Sequence, residues 1–248
     1  MGTDVNLTIA RRTSTMPSDA LFLPSANWYC SQLGAWGQPR DGSSTYFFAF
    51  GCKSRVAMYQ VELSSEGTFS QPRFVADLGR GKHDKKVTSV TFIHGAYHEL
   101  LLVCAGEEGS IQIWNASTLE LVDHHKKHKS TEVMAISSKD DNVIVGGDRN
   151  GVLSVWTRST GHIGLHVPIP GDCIYSIDVC PQRKHHVRGH GIVAIGYRSG
   201  KLVVVDVTDG SIVTRFKGHD EEIHAVTWRP NNATADAKPV LASSSRDK

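Results

Sequence analysis

Three glycine-centred turns recur along the chain, and they constrain its fold more than any other feature. The turns lie at Gly109, Gly151 and Gly200, which are 42 and 49 residues apart. Each one joins two runs of β-branched and aliphatic residues, a composition typical of strands that are buried on both faces. Four-stranded repeats that stack around a central axis have a period of this length. The pattern therefore predicts an all-β propeller.

Two further strands complete each predicted repeat. A strand with period-two alternation precedes each hairpin, at residues 87–92, 132–137, 174–179 and 223–228. A more polar strand follows the hairpin, such as residues 119–127, as expected for an outer edge facing solvent. We label the four strands a to d, outward from the axis.

The strand pattern divides the chain into five predicted blades, at about residues 24–80, 81–126, 127–168, 169–216 and 217–248. In the first blade the strands are expected at residues 27–36, 45–52, 54–63 and 72–79, and the last blade holds only strands a and b. Such a partial propeller is expected to belong to a longer chain. Expressed alone, it is expected to expose an apolar blade face and to aggregate.

Composition narrows the function classes. The chain contains 40% hydrophobic residues, but no run of about 18 apolar residues and no apolar segment after the basic start, so neither a membrane span nor a signal peptide is predicted. Residues 1–23 are expected to form a disordered leader. The five cysteines are widely spaced, which favours free thiols over a zinc site or disulfides. A formal charge of +2 means that any nucleic-acid site must be local.

Several segments carry a family resemblance. Residues 216–230 (FKGHDEEIHAVTWRP), 239–248 (PVLASSSRDK) and 109–114 (GSIQIW) resemble WD40 repeats, most of which act as binding platforms. Residues 24–30 (PSANWYC), 143–152 (VIVGGDRNGV) and 193–207 (VAIGYRSGKLVVVDV) are similar to the start of the gem-associated protein five family. The leader and the insertions at 38–44, 81–86 and 182–191 depart from that family.

The resemblance implies a function. Members of that family are RNA-binding subunits of the survival motor neuron (SMN) complex, found in cytoplasm and nucleus, including nucleoplasm and gems. They recognise the uridine-rich Sm site of small nuclear RNA precursors for spliceosomal core assembly, and they also bind the RNA cap and some messenger RNAs, with a role in translation. The implied parent has two seven-bladed propellers followed by helical and dimerising regions.

The predicted RNA surface is the face onto which the d–a and b–c loops open. Rings can stack on bases there, cations can hold phosphates, and carboxylates can accept from base N–H groups. By resemblance, Trp28 and Tyr29 would contact Sm-site RNA, Lys53 would supply a basic contact and Glu222 would read a base. Loop geometry alone adds three further candidates, which are Asn27, Tyr197 and Arg198.

Competing interpretations remain open. The chain could instead be a protein-interaction scaffold without direct RNA recognition, with Trp28 packed and Glu222 solvated.

A histidine before strand a, such as His83 or His219, is expected to bond a turn aspartate and a hydroxyl. The basic run at 124–129 is interpreted as a solvated outer edge, although it could touch phosphate or bind a metal. The run at 183–190 is interpreted as a basic loop between strands a and b, on the face opposite the predicted RNA surface. No catalytic motif is found, so we expect neither an enzyme nor a cofactor.

Overall fold

The structure is a computed structural model that describes residues 24–27, 30–79, 85–95, 97–126, 132–138, 142–181, 191–229 and 239–247. Every regular element in these residues is a β-strand. The strands are β1 (Gly34–Gly37), β2 (Thr45–Cys52), β3 (Arg55–Glu62), β4 (Arg73–Leu78), β5 (Val87–His94), β6 (Leu100–Gly106), β7 (Ser110–Asn115), β8 (Leu121–Lys126), β9 (Val133–Ser138), β10 (Val143–Asp148), β11 (Leu153–Thr157), β12 (His162–His166), β13 (Ile174–Val179), β14 (Ile192–Tyr197), β15 (Lys201–Asp206), β16 (Ile212–Lys217), β17 (Ile223–Trp228) and β18 (Leu241–Ser245).

The strands form four antiparallel four-stranded sheets and one two-stranded sheet, β17–β18. Each four-stranded sheet follows chain order, so strands a to d pair with their sequence neighbours. The predicted all-β architecture, a partial propeller of four blades and two strands of a fifth, is confirmed. The predicted leader, residues 1–23, lies outside the described residues.

The first predicted strand is wrong over most of its length, because only Gly34–Gly37 pairs with β2. Residues just before β1 make hydrogen bonds to other blades. Gln32 donates its side-chain Nε2 to the carbonyl of Ile177 at 2.8 Å, and its own carbonyl accepts from Val90 N–H at 2.8 Å. The segment therefore lies against other blades instead of extending β1.

The core lies between neighbouring blades. In β6 all seven residues are buried, and successive residues face opposite neighbours. Leu102 packs in the cluster shared with the first blade, whereas Leu101 packs in the cluster shared with the third. The inner strands are apolar without interruption because both of their faces are covered.

Side chains on the innermost strands join neighbouring blades by hydrogen bonds. Strand a is a sheet edge, so its channel-side N–H and C=O groups have no ladder partner and need another one. The hydroxyl of Ser89 accepts from Ile136 N–H at 3.1 Å, and that of Ser137 accepts from Val179 N–H at 3.1 Å. Further side chains donate to the first carbonyl of the next strand a, as Asn27 Nδ2 to Val87, Thr88 to Val133 and Ser176 Oγ to Ile223.

Asp178 makes the corresponding link to the fifth blade. Its carboxylate accepts from Trp228 N–H at 2.8 Å and from the Ser137 hydroxyl at 3.3 Å, and its carbonyl accepts from the Trp228 indole N–H at 3.1 Å. One carboxylate thus joins three blades. Burial raises the pKa of Asp178 above its ordinary value of 3.8, partly offset by these hydrogen bonds.

The b–c turns depend on residues with positive φ. Gly151 and Gly200 have φ of 83° and 77°, and a Cβ at either position would lie within 2.3 Å of a carbonyl oxygen from the following d–a loop. The first blade places Lys53 (φ 52°) at its b–c turn instead. Asn27 holds that residue from both sides, because its Oδ1 accepts from Lys53 N–H at 2.8 Å and its Nδ2 donates to the Lys53 carbonyl at 2.9 Å.

The expected structural histidine is confirmed in the fifth blade. His219 Nδ1 lies 2.9 Å from the Asp247 carboxylate, and its Nε2 lies 2.9 Å from the Ser243 hydroxyl. The same carboxylate accepts from Asp220 N–H. The d–a loop is thereby tied to the b–c turn of its own blade. His83 lies outside the described residues.

Apolar groups are exposed on the first blade and on the outer strand of the fourth blade. On the first blade Trp36, Phe69 and Phe74 are about half exposed and belong to a chain of ring contacts that includes Tyr59. Strand β16 is exposed along its whole length. The expectation that the isolated chain exposes apolar surface agrees with these values, and its expected aggregation stays a prediction.

The hydroxyl links between blades are testable by Ser137→Ala. The substitution leaves the buried Val179 N–H without its acceptor, which should lower the free energy of unfolding by about 1 to 3 kcal/mol. Urea denaturation of the full parent chain measures the effect. Ser159→Ala, at an exposed position in the c–d turn, is the matched control and should change stability little. Equal effects of the two variants would show that the link contributes nothing specific.

Asp178 should make stability depend on pH. Its pKa is higher in the folded than in the unfolded chain, so the folded state holds the proton more tightly. Its contribution to stability is therefore fully present below pH 3.8 and is lost as the pH rises through the folded pKa. Asp178→Asn keeps an oxygen acceptor for Trp228 N–H and removes this titration. The difference in unfolding free energy between wild type and variant should grow toward acid pH, and a pH-independent difference would contradict the assignment.

Candidate nucleic-acid interface

A β-bulge recurs at the second residue of four innermost strands. The register skips one residue between Val87 and Ser89, and equivalent shifts occur in β9, β13 and β17. The skipped residues are Thr88, Met134, Tyr175 and His224. A bulge leaves its extra residue out of the ladder and re-aims the side chain. Two of the four, Met134 and Tyr175, line a cavity at one mouth of the central channel.

That cavity has a volume of about 660 Å³. Its wall comes from strand a, the d–a loops and the b–c turns, the elements predicted to form the RNA-binding face. The charged lining residues are Lys85, Arg149, Arg198, Glu107 and Glu132. The neutral ones are Cys30, Met134, Asn150, Cys173 and Tyr175. We call this cavity the channel cup.

The segment around Ser31 crosses the axis below the cup. Ser31 donates its hydroxyl to the carbonyl of Tyr175, and Gln32 bonds Ile177 on the same strand. Both residues line a second, lower cavity of about 290 Å³, together with Asp178. They therefore separate the two cavities and give the channel cup a floor.

The cup is lined by both cations and carboxylates. Arg149 pairs with Glu132 at 2.7 Å, and its side chain stays 63% exposed. Arg198 is anchored through its backbone N–H, which donates to the Cys173 carbonyl at 2.9 Å, while its side chain is exposed. Among the described residues Arg198 forms no ion pair, so its guanidinium can bind an anion.

Glu222 lies on the adjoining rim in the d–a loop of the fifth blade. Its Oε1 accepts from Arg246 Nη1 at 3.0 Å and lies 3.7 Å from His224 Nε2. The pKa of Glu222 is lowered, first by a hydrogen bond from its own backbone N–H and then by Arg246. The carboxylate is therefore ionised at neutral pH and can accept from a ligand N–H through its remaining lone pairs.

The structure separates the predicted site residues into groups. Arg198 lines the cup, Lys53 is exposed at the b–c turn of the first blade, and Glu222 lies at the rim. Trp28 and Tyr29 lie outside the described residues, so their contacts with RNA stay a prediction.

Two predicted contacts are corrected. Tyr197 is fully buried in the core between the third and fourth blades, with Val193 and Ile195 on the same face, so it cannot stack on a base. Asn27 is 8% exposed, and its amide is committed to the backbones of Lys53 and Val87. Its role is to hold the turn that carries Lys53.

Sequence reasoning missed Tyr175, the aromatic residue of the cup. The ring is partly exposed and lies edge-on to His224, with centroids 5.6 Å apart and planes at 70°. Burial raises the pKa of the Tyr175 phenol, as does the negative charge of Glu222, so the hydroxyl stays a donor at neutral pH. The available signal was an aromatic residue at the second position of a predicted strand a.

The metal alternative for residues 124–129 gains no support. Among the described residues, no group of three or more His, Cys, Asp and Glu side chains is placed to hold a metal ion. His125 instead packs against Trp156, with ring centroids 5.1 Å apart, while residues 127–129 and the basic run 183–190 lie outside the described part. The described residues also contain no helix long and apolar enough to cross a membrane.

The blades and the channel cup together define a class of protein. A family model described as WD domain, G-beta repeat matches residues 210–248, the segment that contains the His219 network. The chain therefore carries a WD40 repeat at residues 210–248, within a partial β-propeller whose described residues form four four-stranded blades and a two-stranded fifth.

More specific relatives extend over most of the chain. It is 27% identical over 216 residues to Gem-associated protein 5 of Mus musculus and 28% identical over 209 residues to that of Homo sapiens, covering 86% and 84% of the chain. It is also 20% identical to Component of gems protein 5 of Dictyostelium discoideum, over 85% of the chain. The chain spans 14%, 13% and 19% of these relatives, and none of their names is that of an enzyme.

The thiols of the cup should react slowly. Burial, followed by the charges of Glu107 and Glu132, raises the pKa of Cys30 from 9.0 to about 11. Near neutral pH this reduces the thiolate fraction by about 100-fold, and alkylation by iodoacetamide should slow accordingly. Glu132→Gln should lower the thiol pKa and accelerate the reaction, whereas the remote control Glu120→Gln should not. Mass spectrometry of the Cys30 peptide measures the rates, and equal rates in both variants would contradict the assignment.

Proposed function

We propose that this module binds single-stranded RNA at the channel cup and serves small nuclear ribonucleoprotein assembly together with the SMN complex. One observation carries the proposal, which is that the cup combines cations, hydrogen-bond acceptors and a partly exposed aromatic ring on one face. Single-stranded RNA recognition needs these three components, because it uses phosphate neutralisation, base-edge hydrogen bonds and stacking.

The electrostatics of the cup favour an unpaired strand. Arg149 is oriented by its ion pair with Glu132, and Arg198 extends into solvent a short distance along the wall. Cations with fixed backbones can follow a phosphate chain around the rim. The carboxylates of Glu107 and Glu132 in the same wall would repel a continuous duplex backbone, but they can accept from base N–H groups that an unpaired strand exposes.

Residues transferred by resemblance fit the same face. Lys53 and Glu222 belong to a b–c turn and a d–a loop, the loop classes that surround the cup. Arg246 leaves Glu222 ionised and partly exposed, as a base-reading carboxylate requires. Lysine at position 53 supplies a point charge without the planar, bidentate geometry of arginine.

The names of the relatives support the cellular part of the proposal. They denote proteins associated with gems, and this chain aligns with about a seventh of their length. We therefore propose small nuclear RNA carrying an Sm site as the ligand, SMN-complex proteins as partners, and cytoplasm and nucleus as locations. Binding of capped RNA and messenger RNA, with a role in translation and splicing, belongs to the same proposal.

RNA binding should depend on Arg198 and Glu222. Loss of one phosphate contact in Arg198→Ala should weaken binding of a uridine-rich single-stranded RNA and reduce the slope of log K against log salt by about 0.7. Glu222→Gln should weaken binding without changing that slope, because the carboxylate reads a base. Fluorescence anisotropy with the full parent chain measures both effects.

Arg73→Ala is the matched control, because Arg73 lies on the outer strand β4 and bonds Gln60. Trp28→Ala tests the contact transferred by resemblance in the same assay. If the parent chain binds no RNA, and all its protein partners survive ribonuclease treatment, the scaffold interpretation replaces RNA recognition.

A further inference from the structure

The four bulged residues differ in chemistry along the ring of blades. The second residue of strand a is Thr88 in the second blade, Met134 in the third, Tyr175 in the fourth and His224 in the fifth. Thr88 is buried and bonds the Val133 carbonyl, so it joins blades. The two aromatic residues occupy neighbouring blades, and both are partly exposed and lie outside the buried core clusters of those blades.

We propose that Tyr175, supported edge-on by His224, is the base-stacking position of the channel cup and takes one unpaired nucleobase of the bound RNA. This inference rests on the proposed function and names a residue that neither motif nor resemblance had indicated. The ligand class is a nucleotide of single-stranded RNA whose base enters the cup.

The backbone around Tyr175 is anchored, and its ring has one aromatic neighbour. The bulge removes Tyr175 from pairing with β14, while the flanking residues Ile174 and Ser176 are anchored in the core and on the next blade. Ser31 holds its carbonyl from the floor. The His224 ring lies 5.6 Å from the Tyr175 ring with the planes at 70°, and Tyr175 remains partly exposed, so a base can approach the ring. A fixed ring loses little conformational freedom when a base stacks on it.

The surroundings match the edges of a base. Arg198 lines the same cavity as Tyr175, and the Glu222 carboxylate lies 3.7 Å from His224, whose ring contacts Tyr175. A base on the ring could therefore donate an N–H to Glu222, while Arg198 binds the adjacent phosphate. The volume of about 660 Å³ admits a nucleotide, and the floor at Ser31 and Gln32 limits how deeply it enters.

Stacking should be visible in the affinity of the full parent chain for a uridine-rich single-stranded RNA. Tyr175→Ala should weaken binding about 5- to 150-fold, the range measured for loss of one stacked base. Tyr175→Phe keeps the ring and should stay within about twofold of wild type. Tyr97→Ala removes a 91% exposed tyrosine from the a–b loop at the opposite end of the blade, and it should have no effect.

An abasic nucleotide scan separates stacking from other effects. In wild type, one abasic position should cost about as much affinity as Tyr175→Ala. In the Tyr175→Ala variant the same abasic position should cost nothing further, because ring and base belong to one interaction. RNA carrying 5-iodouridine at that position should crosslink to Tyr175 in the wild-type chain, a readout that does not depend on whether a variant folds.

The outcomes distinguish this inference from the proposed function. RNA binding that depends on Arg198, but is unaffected by Tyr175→Ala and gives no crosslink to Tyr175, overturns the stacking role and leaves RNA recognition standing. An equal loss in Tyr175→Phe and Tyr175→Ala also overturns it, since the hydroxyl and not the ring would then matter. Absence of RNA binding by the wild-type chain removes the proposed function and the inference together.

Discussion

Hydrogen bonds from one innermost strand to the next are the constraint on which the rest of the structure depends. Each strand a is a sheet edge, and the channel would contain unpaired backbone groups if no neighbour satisfied them. Ser89, Ser137 and Asp178 accept N–H groups of the following blade, and the hydroxyls of Thr88 and Ser176 bond carbonyls. Apolar packing holds the blades together, but these directional contacts set how far each blade is displaced along the axis relative to the next.

The same hydrogen bonds between blades also position the residues of the candidate binding face. The preceding blade bonds the first residue of strand a and so fixes the start of that strand. The bulge that follows turns the side chain of the second residue toward the channel. Ile223 and His224 illustrate this arrangement. Ser176 donates a hydrogen bond to the Ile223 carbonyl, and His224 is the bulged residue that follows. The position that can face a ligand is therefore determined by the fold, whereas its side chain is free to vary.

Most of the strands could be predicted, because the spacing and composition of apolar residues indicate directly which residues are buried. Strands β2, β13 and β17 coincide with their predicted limits, since each is a regular apolar or alternating run. The start of the first blade could not be predicted, because Ser31 and Gln32 bond residues about 145 positions away. No local pattern reports such contacts.

The sequence predicted which loops form the candidate site, but not which side chains face it. Arg198 follows a strand in a b–c turn, so strand order alone places it at the cup. Tyr197 continues the alternation of Val193 and Ile195, and the same period-two rule that found the strand indicates its burial. Tyr175 breaks that rule, because Ile174 and Ile177, three residues apart, face one core. Only a bulge reconciles them, and a bulge has no reliable sequence signal.

The pairing of charges is compatible with the proposed RNA-binding face in a chain whose net charge is only +2. Arg149 and Arg246 are each bound to a glutamate, and both keep more than half of their side chain exposed. Their partners hold them in one orientation, which lowers the entropic cost of binding phosphate, but they also reduce the net attraction. In the proposed complex, affinity for RNA comes largely from contacts that only an unpaired strand can offer, namely stacking and base N–H groups. Under that proposal the cup discriminates by the shape and edges of bases more than by charge.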